Sequence, residues 1–400
     1  MTTTQIAAAV GAPAWERRFG VALAGIAARA AEHDRDASFP HEAFATLHEL
    51  GVPALTVPAG QGGAGAGLRV AADVVERVAR ADASVGLVLL WQLALHAEIA
   101  RGDAPWPEDL RRAVQRSAVD EGALINALRV EPDLGTPARG GIPATVAARE
   151  RDGGWRIGGR KTYCTGIPAL RWLLVWCATD EDDVRTGAFL VERSAPGWSI
   201  VETWDHLGLR ASGTHDVVLD GVVVPAGHAV DVRRPQQWRE VDRSVGLAWV
   251  TTLMAAVYTG VAVAARDWLA AYLNERTPTN LGAPLASLHH FQLAAGRIES
   301  LLMVSHALIR DVAAGVDGGS PDAPARGPVA KHVATRNAVE AIDIALGLTG
   351  NPGLTRFNPL ERHHRDALTG PVHTPQADMV LGELGRAALT GGDAVVRVHR

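Results

Sequence analysis

The chain has 400 residues, 47% of them hydrophobic and 21% charged, with a formal net charge of −5 at pH 7. That length supports two or three packed units, and without a long basic run the chain lacks the electrostatic footprint of a nucleic-acid binder. Cys164 and Cys177, the only cysteines, are too few for a disulfide framework and lie in apolar, strand-like sequence, which predicts two buried thiols and a cytoplasmic setting.

Residues 1–13 show no basic stretch ahead of an apolar run, so no leader segment is expected. From residue 15 to about 118 the pattern is helical, broken at Gly51-Val52-Pro53, across 58–67 and at 103–107, with a last short helix at 110–119. Between 124 and 232 the period switches. Short apolar or alternating runs at 145–148, 155–157, 172–177, 187–191 and 217–224 are separated by turn signals such as Asp152-Gly153-Gly154 and Asp220-Gly221, which predicts antiparallel strands. The helical period returns at 243–274, 288–314, 327–348 and 376–389, and 317–328 reads as a Gly/Pro/Ala-rich loop. Residues 244–265 carry no charge, but Ser, Thr, Tyr and Gly recur through them, which predicts the buried central helix of a bundle rather than a membrane span. The expected units are 1–120, 121–233 and 234–400, an α+β chain of helices, a β-domain and helices again.

Four segments carry candidate chemistry. Val130-Glu131-Pro132-Asp133-Leu134-Gly135-Thr136 places a glycine before a hydroxyl, which allows close backbone approach and offers a donor; an ordinary Pro/Gly turn is the alternative. Gly159-Arg160-Lys161-Thr162-Tyr163-Cys164-Thr165-Gly166 sets an aromatic side chain two residues before a hydroxyl. Leu207-Gly208-Leu209-Arg210-Ala211-Ser212-Gly213-Thr214-His215-Asp216 leads into the last of the apolar runs. Thr349-Gly350-Asn351-Pro352-Gly353 is followed by Arg365-Asp366-Ala367 and a terminal helix. A weaker fifth feature is Arg276 with Gln292 downstream, a guanidinium suited to phosphate.

These segments, in this order, resemble the acyl-CoA dehydrogenase superfamily, including its flavin-dependent monooxygenase branch, over nearly the whole chain. The resemblance implies an N-terminal helical domain, a central antiparallel β-barrel or sandwich and a C-terminal four-helix bundle. It implies FAD, or alternatively reduced FMN or FAD supplied by a reductase. The flavin ring would meet Val130, Gly135, Thr136, Tyr163, Cys164, Thr165 and Ser212. Arg276, Gln292, Gly350 and Gly353 would reach the pyrophosphate side across a subunit boundary, in a homodimer or homotetramer. Arg365 and Asp366 would mostly brace helices.

The same resemblance marks a departure. A dehydrogenase of this family needs a carboxylate base for the substrate α-proton, and its two usual positions fall here on Thr374 and Val250, with no acid in residues 244–265. Asp378 is the nearest carboxylate to the first position, and a helix-start acid is its blander role. His373, eight residues after Arg365, matches a histidine that in the monooxygenase branch helps form or protonate a flavin hydroperoxide; a histidine satisfied by backbone near a proline turn is the alternative. The second histidine of that branch has no clear match, since Trp91 and Gln92 occupy its region and His96 lies a turn later. Adjacent pairs His289-His290 and His363-His364 point to different helix faces, so no metal site is expected. Three readings follow: a flavin monooxygenase on a non-standard small-molecule substrate, an FAD-dependent dehydrogenase forming a C=C bond in an acyl thioester with electron-transfer flavoprotein as partner, or a non-catalytic paralogue.

Overall fold

Helices fill the first part of the chain in a computed structural model that describes residues 10–134 and 141–391. They are α1 (Pro13–Asp36), α2 (His41–His48), α3 (Leu68–Ala81), α4 (Ala83–Ala100) and α5 (Glu108–Glu121). On α3 the buried residues Ala71, Val74, Val75 and Val78 recur at the three- and four-residue spacing of one helix face. Asp82 separates α3 from α4 and caps the latter, its carboxylate accepting from the Ser84 and Val85 backbone N–H groups at 2.7 and 3.2 Å, which satisfies two donors that a helix start leaves open.

The strands are β1 (Leu124–Leu128), β2 (Val146–Arg149), β3 (Trp155–Cys164), β4 (Leu170–Thr179), β5 (Thr186–Glu192), β6 (Trp198–Val201), β7 (His215–Val224) and β8 (Ala229–Arg233). They form one sheet in the order β6-β7-β3-β2-β4-β5-β8, with β1 also paired to β4. Most pairings are antiparallel, as the turn signals predict. However, β1 and β2 both run parallel to β4, so the sheet is mixed. Local sequence cannot reveal this, because parallel partners are joined by long crossovers rather than by turns. The two thiols are buried as expected.

The C-terminal helices are α6 (Ser244–Glu275), α7 (His289–Asp317), α8 (Ala323–Thr349), α9 (Asn351–Leu354), α10 (Leu360–Leu368) and α11 (Ala377–Thr390). Both α4 and α6 are long and apolar enough to cross a membrane, yet 78% of each apolar window is buried inside the fold. The bundle-helix reading of 244–265 therefore holds. The expected loop at 317–328 is shorter than predicted: α8 already starts at Ala323 and carries Pro328 inside it. Pro324 sits in the first turn, where its missing N–H has no helical partner to lose. Asp317 ends α7 by capping a different helix, accepting from Leu68 N and Arg69 N of α3 at 2.7 and 3.0 Å.

One node ties all three parts together. The Arg365 guanidinium pairs with Asp34 of α1 at 2.6 Å and Glu361 at 2.7 Å and donates to Leu207 O at 2.9 Å. Asp366 Oδ1 accepts from Leu209 N at 2.7 Å. Gly208 makes this approach possible, since a Cβ there would stand 2.2 Å from Arg365 O. The β-domain turn at 207–209 is thus locked onto α10, the helix that leads into His373.

Candidate functional site

The first two motifs meet through a buried ion pair. Lys161 Nζ lies 2.6 Å from Glu131 Oε1, with side chains 0% and 4% exposed. Thr145 N and Ala144 N also donate to the Glu131 carboxylate at 3.0 and 2.7 Å. Burial raises the Glu131 pKa, but the Lys161 hydrogen bond and these donors outweigh it and hold the group below the usual carboxylate range. The pair fixes the loop after β1 against β3. Beside it, Thr162 N donates to Val130 O at 2.9 Å, so the Val130 carbonyl serves β3 directly.

Tyr163 follows at once. It holds a left-handed φ of 55°, an unfavourable conformation for a bulky residue, and its side chain is 56% exposed. Trp204 and His206 stack on each other at 3.6 Å and meet the Tyr163 ring edge-on at 6.4 and 6.0 Å. Behind this aromatic shelf, Thr214 Oγ1 donates to Thr165 Oγ1 at 3.1 Å and lies 2.7 Å from Ser212 Oγ. Since Thr214 gives its proton to Thr165, Ser212 donates to Thr214, and the Thr165 hydroxyl proton remains available to an outside acceptor. Asn126 Nδ2 donates to Thr165 O at 2.9 Å and steadies the turn. Ser212 is fully buried, so its hydroxyl acts through Thr214. Cys164 faces the core, where burial pushes its thiol pKa up. Gly135 and Thr136 lie outside the described residues.

His373 sits on the turn between α10 and α11. Its Nε2 is buried with no hydrogen-bond partner among the described residues, and burial, aided by the nearby Lys331 cation, pushes its pKa down to about 4. The imidazole is therefore neutral at pH 7. The Tyr258 ring of α6 stands 5.9 Å away. Lys331 of α8, 1% exposed, donates to His373 O at 2.6 Å and Pro375 O at 3.1 Å. An ammonium held by two carbonyls secures this turn. Thr374 and Val250 stand where the family resemblance calls for a base, and Asp378 lies exposed in the first turn of α11.

Three family models match in order: the acyl-CoA dehydrogenase N-terminal domain at residues 20–102, the middle domain at 130–222 and the C-terminal domain at 244–374. YdbM of Bacillus subtilis, which bears the family's name, is 34% identical over 94% of this chain and 96% of its own length. The chain belongs to the acyl-CoA dehydrogenase family. Another similar member is the L-evernosamine nitrososynthase of a Micromonospora species, 33% identical over 88% of this chain and 83% of its own. Among solved structures, KijD3 in complex with FMN and a dTDP-linked amino-keto sugar superposes with a TM-score of 0.81. It is 29% identical and covers 95% of both chains.

The remaining family positions lie apart from the shelf. Arg276 caps the end of α6 and is exposed, and Gln292 is exposed on α7, donating to Ala286 O at 3.0 Å. Gly350 ends α8 with φ 59° and is exposed. Gly353 is buried, and a Cβ there would come within 2.2 Å of Thr349 Oγ1, so packing within this chain already requires a glycine. None of the four touches Tyr163, Thr165 or Ser212 among the described residues. Gln92 is spoken for by structure: it donates to Pro53 O and Ala123 O and accepts from Ile125 N.

Sequence reasoning missed Trp204, His206 and Lys331. Nothing local marks the first two. Lys331 was findable, because it falls on the buried face of α8 with Ala330, Ala334, Thr335 and Ala338, and a lysine on an apolar stripe is a buried cation with a task.

These buried groups set a pH dependence. Burial pushes His96, His363 and His373 to about 4, about 3 and about 4 from the ordinary 6.5, so their contribution to stability is complete above pH 6.5 and is lost as pH falls toward 4. Asp366 acts oppositely. Burial raises it to about 7 from 3.8, so its contribution is greatest at low pH and is lost as pH rises through 7. Below pH 6.5 the three histidines lower stability as pH falls, and Asp366 opposes them in part. Urea midpoints measured from pH 6.5 to 5 should fall steeply, and a flat series would contradict the buried-histidine assignment.

Proposed function

We propose that this acyl-CoA dehydrogenase family member is a flavin-dependent monooxygenase acting on a substrate other than an ordinary fatty acyl thioester. The observation that carries this is the buried, unpartnered Nε2 of a neutral His373 on a turn where neither Thr374 nor any residue of 244–265 offers a carboxylate. The exposed Tyr163 ring on its aromatic shelf and the free Thr165 proton fit a flat flavin with a polar edge. Bound flavin would supply the two-electron chemistry and the reactivity toward oxygen. Tyr163 would stack against the ring, Thr165 would donate to its edge, and Lys331 would hold the turn so that His373 Nε2 can give or take a proton.

The similarity to a nitrososynthase and to FMN-bound KijD3 supports this reading and makes FMN or FAD the group to expect. Exposed Arg276, Gln292 and Gly350 suit contact with a cofactor shared between subunits. Leu293, Met303, Val304 and Leu354 on the C-terminal helices and Phe357 on the turn after α9 are large exposed apolar residues, which supports a homodimer or homotetramer. Reduced flavin would then come from a reductase. A second reading, C=C formation in an acyl thioester with electrons passed to electron-transfer flavoprotein, is favoured by the YdbM similarity and would assign the base to Asp378.

Anaerobic photoreduction of the flavin-loaded protein, followed by rapid mixing with oxygenated buffer, separates the two. The monooxygenase reading expects a transient absorbing near roughly 370–390 nm before the oxidised spectrum returns. Slow, featureless reoxidation would overturn it in favour of dehydrogenation.

A further inference from the structure

Of the 39 lysine and arginine residues in this chain only Lys161 and Lys331 are lysines, and both are buried, 0% and 1% exposed. Every basic side chain at the surface other than histidine is therefore an arginine. The two residue types differ in one respect that matters inside a fold: a buried lysine can give up its proton, whereas arginine keeps its charge. Lys161 is compensated by the Glu131 carboxylate. Lys331 has carbonyl oxygens instead, His373 O at 2.6 Å and Pro375 O at 3.1 Å. Both belong to the turn that carries His373 Nε2, which has no hydrogen-bond partner among the described residues.

Neutral contacts make up the other tethers of this turn. Thr369 Oγ1 donates to Asp366 O at 2.6 Å, so the Tyr258 hydroxyl donates to Thr369 at 2.9 Å. Gly370 packs so closely that a Cβ there would stand 3.0 Å from the Tyr258 ring and 3.1 Å from Thr335 Cβ. Among these tethers Lys331 alone carries a charge, and hydrogen bonds from an ammonium are about twice as strong as neutral ones. The same charge disfavours a proton on the neighbouring imidazole. Loss of the Lys331 proton would therefore weaken the tether and change the field at His373 together.

Titratable neighbours come from each element packed around Lys331. The turn presents His373, α6 presents Tyr258, and α10 presents Asp366 behind Tyr258. Asp378 lies in the first turn of α11, and His332 follows Lys331 on α8 itself. Helix α7 meets α8 through Asp311 with Arg326 at 3.1 Å and Arg297 with Glu340 at 2.6 Å. Burial pushes His373 down to about 4, raises the Tyr258 phenol well above its usual range, and brings Lys331 itself down to about 8. Asp366, raised to about 7, titrates just below that.

We infer that Lys331 is a positioning residue that works as an alkaline off-switch: its ammonium holds the His373 turn in the working geometry, and loss of that one proton slackens the turn without His373 itself titrating. This is a regulation of the proposed monooxygenase site. It rests on that reading for what His373 does, though not for the link between Lys331 and the turn.

The test uses the flavin-loaded full chain. Carbon-13 at lysine Cε gives two NMR signals in a chain with two lysines, and the one that His373→Gln displaces belongs to Lys331. Between about pH 7 and pH 9.5 that signal should titrate with a midpoint of about 8. The His373 ring-nitrogen signals, assigned by their loss in His373→Gln, should move with the same midpoint. In the oxygen-mixing experiment the wild-type transient should shorten roughly tenfold across this range. Lys331→Arg, which keeps its charge, should hold the lifetime within about twofold, and Lys331→Met should show the short lifetime at both ends. A Lys331 signal that stays charged to about pH 9.5, His373 signals that move with another midpoint or not at all, or an alkaline decline unchanged in Lys331→Arg would overturn the switch, the last assigning the decline to the cofactor or to Asp366. Co-titration of Lys331 and His373 without any transient would remove the monooxygenase reading alone. A transient indifferent to pH would remove the switch alone.

Discussion

Replacing His373 by alanine is expected to abolish the oxygen-dependent absorbance transient and to lower coupled turnover by roughly 10²- to 10⁴-fold, the usual range for a lost proton-transfer group. The imidazole Nε2 has no hydrogen-bond partner to lose among the described residues, so flavin affinity and melting temperature should change little. The expected signature is a protein that still binds and reduces flavin yet reoxidises without a detectable intermediate. An alanine variant whose transient keeps the wild-type lifetime would exclude His373 as the proton-handling group. If that variant also formed a C=C bond in an acyl thioester, the dehydrogenase reading would take its place.

The largest expected loss of stability comes from Lys161→Met. The change leaves the Glu131 carboxylate, 4% exposed, in the interior with two backbone donors and no cation, and breaking a buried pair in this way costs about 3–5 kcal/mol. Flavin loading should weaken as well, because Glu131 holds the loop beside Val130 while Lys161 sits two residues before Tyr163. Urea denaturation of the single variants and of Glu131→Gln/Lys161→Met together provides the check. The double variant should recover much of the loss, since it removes both charges. A single Lys161→Met variant within 1 kcal/mol of wild type would show that the pair is not what fixes the loop.

Much of this protein was legible in local sequence because helices and turns are local objects. The helical period located α6, α7, α8 and α11, and Asp152-Gly153-Gly154 and Asp220-Gly221 located turns of the β-domain. The run of residues from Gly159 to Gly166 and the Arg365-Asp366 pair were visible as candidate chemistry, and so was the absence of any acid in residues 244–265.

What sequence could not supply was which of these pieces touch. The parallel pairing of β1 and β2 with β4 depends on partners far apart in the chain, and nothing in a strand's own residues states its partner or direction. The same holds for Glu131 with Lys161, Asp366 with Leu209 N, and Lys331 with the carbonyls of His373 and Pro375. With the family resemblance, residue type and spacing placed Thr374 where a carboxylate would serve a dehydrogenase, with a histidine, His373, beside it. Only the tertiary structure decided that the His373 Nε2 is buried without a hydrogen-bond partner among the described residues, because burial and hydrogen-bond satisfaction are properties of neighbours brought together by the fold.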